Sequence, residues 1–116
     1  LACGDKIQHP FLPEITDGCS PWFTPDNPCG GEYTDFNSCC VQHDYCYRTW
    51  GISRSTCDGN FDSCLTNVCV QAVEMGEGTV EVACCISSAT TYYVMVITFG
   101  SEPYENAQLE YCVCCQ

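Results

Sequence analysis

His43 and Asp44 lie in a run of cysteines, C-C-V-Q-H-D-Y-C-Y over residues 39–47, and a second cysteine–acid pair, Cys57 and Asp58, precedes Cys64. An imidazole gains and loses a proton near neutrality, so it serves as a general base when a neighbouring acid fixes its tautomer. If the two segments are antiparallel helices, Cys39 with Cys64 and Cys46 with Cys57 share one index sum, so both pairs can close as rungs of a ladder. Seven residues on each helix make close to two turns, roughly 10 Å of rise. His43 falls between the rungs with its ring toward the seam, and Asp58 is displaced from the position opposite by only roughly 3 Å along the axis. Asp44, about 100° further round the helix, faces a different neighbour. With backbone carbonyls from the Gly- and Pro-rich loop near Cys19 it could hold a hard cation such as calcium.

The elements that must position these groups are legible in outline. Residues 1–31 are crowded with proline and glycine and read as an irregular, disulfide-pinned lead-in. Over 34–50 both residue types vanish, Thr34 or Asp35 can cap, and Phe36, Cys39, Cys40, His43, Cys46, Tyr47 and Trp50 recur at helical steps, which predicts helix one. Gly51 ends it. Ser55 with Asp58 three residues on forms a capping-box signal for helix two, whose apolar stripe runs from Cys57 to about residue 73. Residues 75–79 (M-G-E-G-T) break the chain. Over 79–99 the β-branched and aromatic residues favour strand by propensity, yet no hairpin turn divides so long a segment, and both readings stay open. Pro103 can start a short helix to about residue 109, before Cys112, Cys114 and Cys115.

Composition sets the compartment and excludes classes of partner. Fourteen cysteines in 116 residues mark a disulfide-stapled single domain, 1–116, from an oxidising and hence extracellular setting. The first ten residues lack the apolar run of a signal peptide, so the chain reads as a mature form whose leader has been removed. The nearly charge-free stretch 83–101 is too rich in Thr, Ser, Tyr and Cys to read as a transmembrane helix, and the chain is expected to be soluble. Fifteen acids against three bases, a net charge of −12, exclude nucleic acid as a partner and disfavour strong attraction to an anionic membrane.

Plainer readings of the same residues compete. An isolated His-Asp dipeptide is usually a solvent-facing pair on a helix, but the flanking cysteines and the spaced Asp58 reverse that preference. Asp58 as a capping carboxylate is compatible with a bond across the seam. A zinc site from Cys39, Cys40, His43 and Cys46 is disfavoured, because an oxidising compartment consumes the thiols. Tyr92, Tyr93 and Tyr104 read as packing residues, and the scattered glutamates as a solvated face.

The run C-C-V-Q-H-D-Y-C-Y resembles the active-site helix of secreted phospholipases A2, whose pattern is C-C-x-x-H-D-x-C, and Cys57, Asp58 and Cys64 reproduce that family's C-D-x-x-x-x-x-C. The likeness is closest to the group XII type, in which the helix pair is followed by P-Y, then Q, then C-x-C. Pro103, Tyr104, Gln108, Cys112 and Cys114 match that order. The resemblance implies a mainly α, disulfide-rich fold of two long antiparallel helices cross-linked by disulfides, with an N-terminal calcium loop, and helix rather than strand over 79–99. It implies His43 as general base, Asp58 as its orienting partner, Tyr47 as hydrogen-bond support for Asp58, and Asp44 as the calcium-ligating carboxylate. Bridges Cys39–Cys64, Cys46–Cys57 and Cys19–Cys40 follow by the same matching. The family's usual Y-G-C-x-C-G-x-G-G loop is absent, and two stretches compete for its place: residues 17–23 (D-G-C-S-P-W-F) and 28–31 (P-C-G-G). The first is preferred because its cysteine lies at the group XII interval from Cys39, which puts the carbonyls of Gly18, Ser20 and Trp22 on calcium.

The activity so implied is calcium-dependent hydrolysis of the sn-2 ester of a glycerophospholipid at a membrane or micelle surface by a secreted monomer. Phe11, Leu12, Trp22 and Phe23 are candidates for touching the lipid. The alternative from a different class is a catalytically silent member of the fold that binds a protein partner or receptor, favoured by the altered loop and the acidity. An acidic calcium-binding matrix protein ranks last, since its carboxylates would cluster and these are scattered.

Overall fold

The computed structural model describes residues 6–8, 19 and 26–114. In chain order these form β1 (Lys6–Gln8), α1 (Asn37–Tyr47), α2 (Arg54–Glu74), α3 (Thr79–Phe99), α4 (Ser101–Tyr111) and β2 (Cys112–Cys114). The two strands pair antiparallel, Ile7 opposite Val113, and join the two ends of the chain.

Helix α1 is shorter than the 34–50 expected. Asp35 Oδ1 accepts from the Asn37 amide at 2.7 Å, and Thr34 turns inward instead, its hydroxyl bonding Asn27 Oδ1 at 3.0 Å. Helix α2 is capped by Ser53, not by the expected Ser55–Asp58 box. Ser53 has the extended backbone of a cap and its hydroxyl accepts from the Thr56 amide at 3.2 Å. That shift places Ser55 inside the first turn and moves Asp58 beyond capping reach, so its carboxylate is free to turn inward. The break over 75–79 is a Schellman ending: the Glu77 amide bonds Ala72 O at 2.9 Å, the Gly76 amide bonds Val73 O at 3.1 Å, and Gly76 takes a left-handed φ of 82°.

Residues 79–99 are helix throughout. Cys85, Ala89, Tyr92 and Val96 form its buried stripe, and the hydroxyls of Thr90 and Thr91 bond back to the carbonyls of Ile86 and Ser87, which removes the polar cost of a threonine-rich helix. By length and composition α3 could cross a membrane, with a mean hydropathy of 1.6, higher than its Ser and Thr content led the sequence reading to expect. One face packs on α2; Ile86, Val94, Ile97 and Phe99 are exposed on the others. Helix α4 begins at Ser101, two residues before Pro103, which therefore sits in the first turn where its missing amide hydrogen is not needed.

The core lies where α1, α2 and α3 meet, around Phe36, Phe61 and Leu65, with Phe36 edge-on to Tyr92 at 5.3 Å. Five disulfides bind these elements among the described residues. Cys39–Cys64 and Cys46–Cys57 are the two expected rungs, with Cα separations of 5.6 and 5.7 Å, and Cys19–Cys40 ties the lead-in to α1. Cys29–Cys84 and Cys69–Cys85, whose partners the sequence left open, fasten the lead-in and α2 to the first turns of α3.

Candidate active site

Between the rungs, His43 Nε2 lies 2.7 Å from Asp58 Oδ1, and Tyr47 Oη donates to the same oxygen at 2.6 Å. All three side chains are buried. A carboxylate only accepts, so Nε2 carries the hydrogen and Nδ1 is left as the basic nitrogen. Burial first, and then the bond to Asp58, push the Tyr47 phenol far above its ordinary value, so it stays a protonated donor. Arg54, one turn before Asp58, brings its Nε to 3.7 Å from Oδ2 and donates from Nη2 to Ile97 O at 3.3 Å. The His43 ring is held by Tyr47 at 4.2 Å and Phe61 at 4.6 Å, centroid to centroid. A hollow of about 160 Å³ opens on the imidazole, walled by the two rungs with Gln42, Asn60 and Phe61.

The sequence reading thus placed His43, Asp58 and Tyr47 together as the structure has them. It missed Phe61 and Arg54. Phe61 was visible only as one apolar residue of the α2 stripe, and Arg54 only as the i,i+4 neighbour of Asp58.

Asp44 is half-buried on α1. Of the preferred loop, Cys19 is described and Gly18, Ser20 and Trp22 lie outside the described residues, as do Phe11, Leu12 and Phe23. Cys19 is bonded to Cys40, which is one turn before Asp44 and on the same face of α1. Its amide donates to Asp26 Oδ1 at 2.9 Å. Cys19 is therefore fastened one turn from the Asp44 carboxylate, and one carboxylate joined by backbone carbonyls would be a hard oxygen set of the kind calcium takes. The rival stretch 28–31 is tied to α3 through Cys29–Cys84, with Gly31 against the Glu77 carboxylate. No cluster of three His, Cys, Asp or Glu suited to a metal occurs among the described residues.

A family model described as group XII secretory phospholipase A2 precursor matches residues 4–116. The chain belongs to the group XII secretory phospholipase A2 family. It is 32% identical over 108 residues to the group XIIA secretory phospholipase A2 of Homo sapiens, a match covering 92% of this chain and 56% of that protein. The group XIIB secretory phospholipase A2-like protein of Mus musculus is 32% identical over 117 residues, covering 97% of this chain and 57% of that protein. The chain thus spans a little over half the length of the relatives it matches. No solved structure matches it. Membership accounts for the mainly helical, disulfide-rich architecture, and the group XII type is the one whose tail pattern Tyr104 and Gln108 reproduce.

Proposed function

We propose that the chain is the catalytic unit of a secreted, calcium-dependent phospholipase A2 that cleaves the sn-2 ester of glycerophospholipids. The observation that carries the proposal is the buried relay Tyr47–Asp58–His43, with the His43 imidazole lining a small hollow. His43 Nδ1 takes a proton from a water as that water attacks the ester carbonyl, and later returns it to the departing glycerol oxygen. Asp58 fixes the tautomer and balances the positive charge that develops on the ring. Tyr47 and Phe61 pack against the imidazole, which lines the hollow. Asp44 with the carbonyls of Gly18, Ser20 and Trp22 would hold calcium, which when bound supplies a Lewis acid for the ester carbonyl and charge for the lipid phosphate. Phospholipid at a membrane or micelle surface is the proposed partner, met by a monomer outside the cell.

Fatty-acid release from mixed phospholipid vesicles tests this, with millimolar calcium or chelator, for wild type and His43→Gln. Release by wild type that falls to background with chelator, and by about 10²- to 10⁴-fold in the variant, is the expected outcome. An inert wild type that still binds calcium would favour the silent binding protein instead, the reading to which the altered loop and the acidity point.

A further inference from the structure

Behind the His43–Asp58 pair, the end of α3 and the first turns of α4 close around Tyr47. Gly100, at the corner between the helices, is buried, yet its φ of −78° is one that any residue adopts. Space explains the glycine. A Cβ here would meet the Val96 carbonyl and come within 2.6 Å of the Tyr47 hydroxyl. That hydroxyl is therefore confined between the helix corner and Asp58 Oδ1. Two turns further along α4, buried Gln108 donates from Nε2 to Tyr47 O at 2.7 Å and to Thr49 O at 2.9 Å, carbonyls at the end of α1 that have no helical partner. Midway between them Tyr104 packs edge-on against Tyr47 at 5.2 Å and donates its hydroxyl to Ile52 O at 2.6 Å. Tyr104 and Gln108 lie one turn apart on one face of α4, and Gly100 precedes them by the same interval at the corner, so the bracket lies along one line.

We propose that Gly100, Tyr104 and Gln108 are positioning residues: the α3–α4 corner sets where the Tyr47 hydroxyl sits, and through it how Asp58 holds the His43 ring. The catalytic consequence rests on the phospholipase reading, whereas the geometry does not. Asp58 Oδ1 takes both donors, so displacing the tyrosine hydroxyl lets the carboxylate turn and the imidazole follow. A general base works only within hydrogen-bond reach of its proton, so a displacement well under 1 Å costs rate. None of the three bracket residues lines the hollow on His43, so the effect falls on kcat and leaves KM and calcium affinity unchanged.

The test is a double-mutant cycle of Gly100→Ala and Tyr47→Phe, with Gln108→Leu as a variant that removes the donors without adding a Cβ. Each single change is expected to lower kcat by about 10- to 100-fold at constant KM and constant calcium Kd. In the Tyr47→Phe background, Gly100→Ala is expected to cost about tenfold less than in wild type, because the hydroxyl it displaces is gone, while the collision with Val96, common to both backgrounds, cancels in that difference. A readout independent of turnover is the NMR resonance of the His43 Nε2 proton, which should move in Gly100→Ala and Gln108→Leu as it moves in Tyr47→Phe. Additive kcat losses, or an unmoved proton in the folded variants, overturn the proposal. If wild type releases no fatty acid while the proton moves as expected, the positioning stands and the phospholipase reading fails. Should Gly100→Ala not fold, Gln108→Leu decides on KM, kcat and the same proton.

Discussion

One oxygen, Asp58 Oδ1, receives both His43 Nε2 and Tyr47 Oη, and the chemistry proposed for the chain depends on both donors staying in place. Burial and the bond to Asp58 raise the Tyr47 phenol, which keeps it protonated at every physiological pH. The same shift has a consequence for stability. The folded state keeps a proton that an unfolded tyrosine gives up above about pH 10, so this contribution is complete below that pH and is lost as pH rises past it. Denaturant unfolding at about pH 9 and about pH 11 should therefore show a smaller alkaline loss of stability in Tyr47→Phe than in wild type. An equal loss would mean that other groups carry the alkaline dependence. Asp44 makes a separate prediction. By isothermal titration, Asp44→Asn is expected to weaken a single calcium site by at least about tenfold, because one ligand charge is removed; many weak sites indifferent to this change would return the scattered acids to consideration.

At the scale of the element, the cap of α2 decides what Asp58 is free to do. Ser53 satisfies the first-turn amide at Thr56, so Ser53→Ala should cost about 1 kcal/mol in thermal or chemical unfolding, and Ser55→Ala should cost little. The reverse result would restore the Ser55–Asp58 box. The two candidates were hard to separate in sequence, because serine stands at both 53 and 55 and an acid three residues after the second made the better pattern. Helix α3 was misjudged by propensity for a related reason. Its helical period resides in the four residues that bury, Cys85, Ala89, Tyr92 and Val96, while most of its exposed positions are threonine, valine or isoleucine. Packing against α2 and two bridges in the first turns outweigh a propensity difference of well under 1 kcal/mol per residue.

The molecule as a whole carries a net charge of −12, and its three basic side chains include Arg54, which already spans Asp58 and the end of α3. Long-range attraction to an anionic bilayer is thus weak, and under the proposed function approach to lipid would depend on apolar contact and on calcium at the headgroup. Zwitterionic vesicles are expected to be hydrolysed at least as fast as anionic ones at physiological salt, measured by fatty-acid release. A strong anionic preference would show that local basic groups or bound calcium outweigh the net charge. The bridges distribute stability unevenly over this frame: the rungs and Cys19–Cys40 hold the site itself, and Cys29–Cys84 and Cys69–Cys85 hold α3 against it.

The sequence by itself determined the ladder and, within it, the approach of Asp58 to His43, while the resemblance supplied Tyr47. A helix converts residue spacing into distance at a fixed rise and rotation, so Cys39, His43, Cys46 and Tyr47 are ordered on α1 before any partner is known. A register that closes two rungs then brings Asp58 to His43. Tertiary structure decided the helical state of α3, which composition left open and the resemblance favoured, and it alone decided the partners of Cys29 and Cys69 and the contact of Gly100 and Gln108 with Tyr47. Those pairs are separated by 16 to 61 residues across loops and helix ends. No constant rise links such positions, and their approach is set by how whole helices pack.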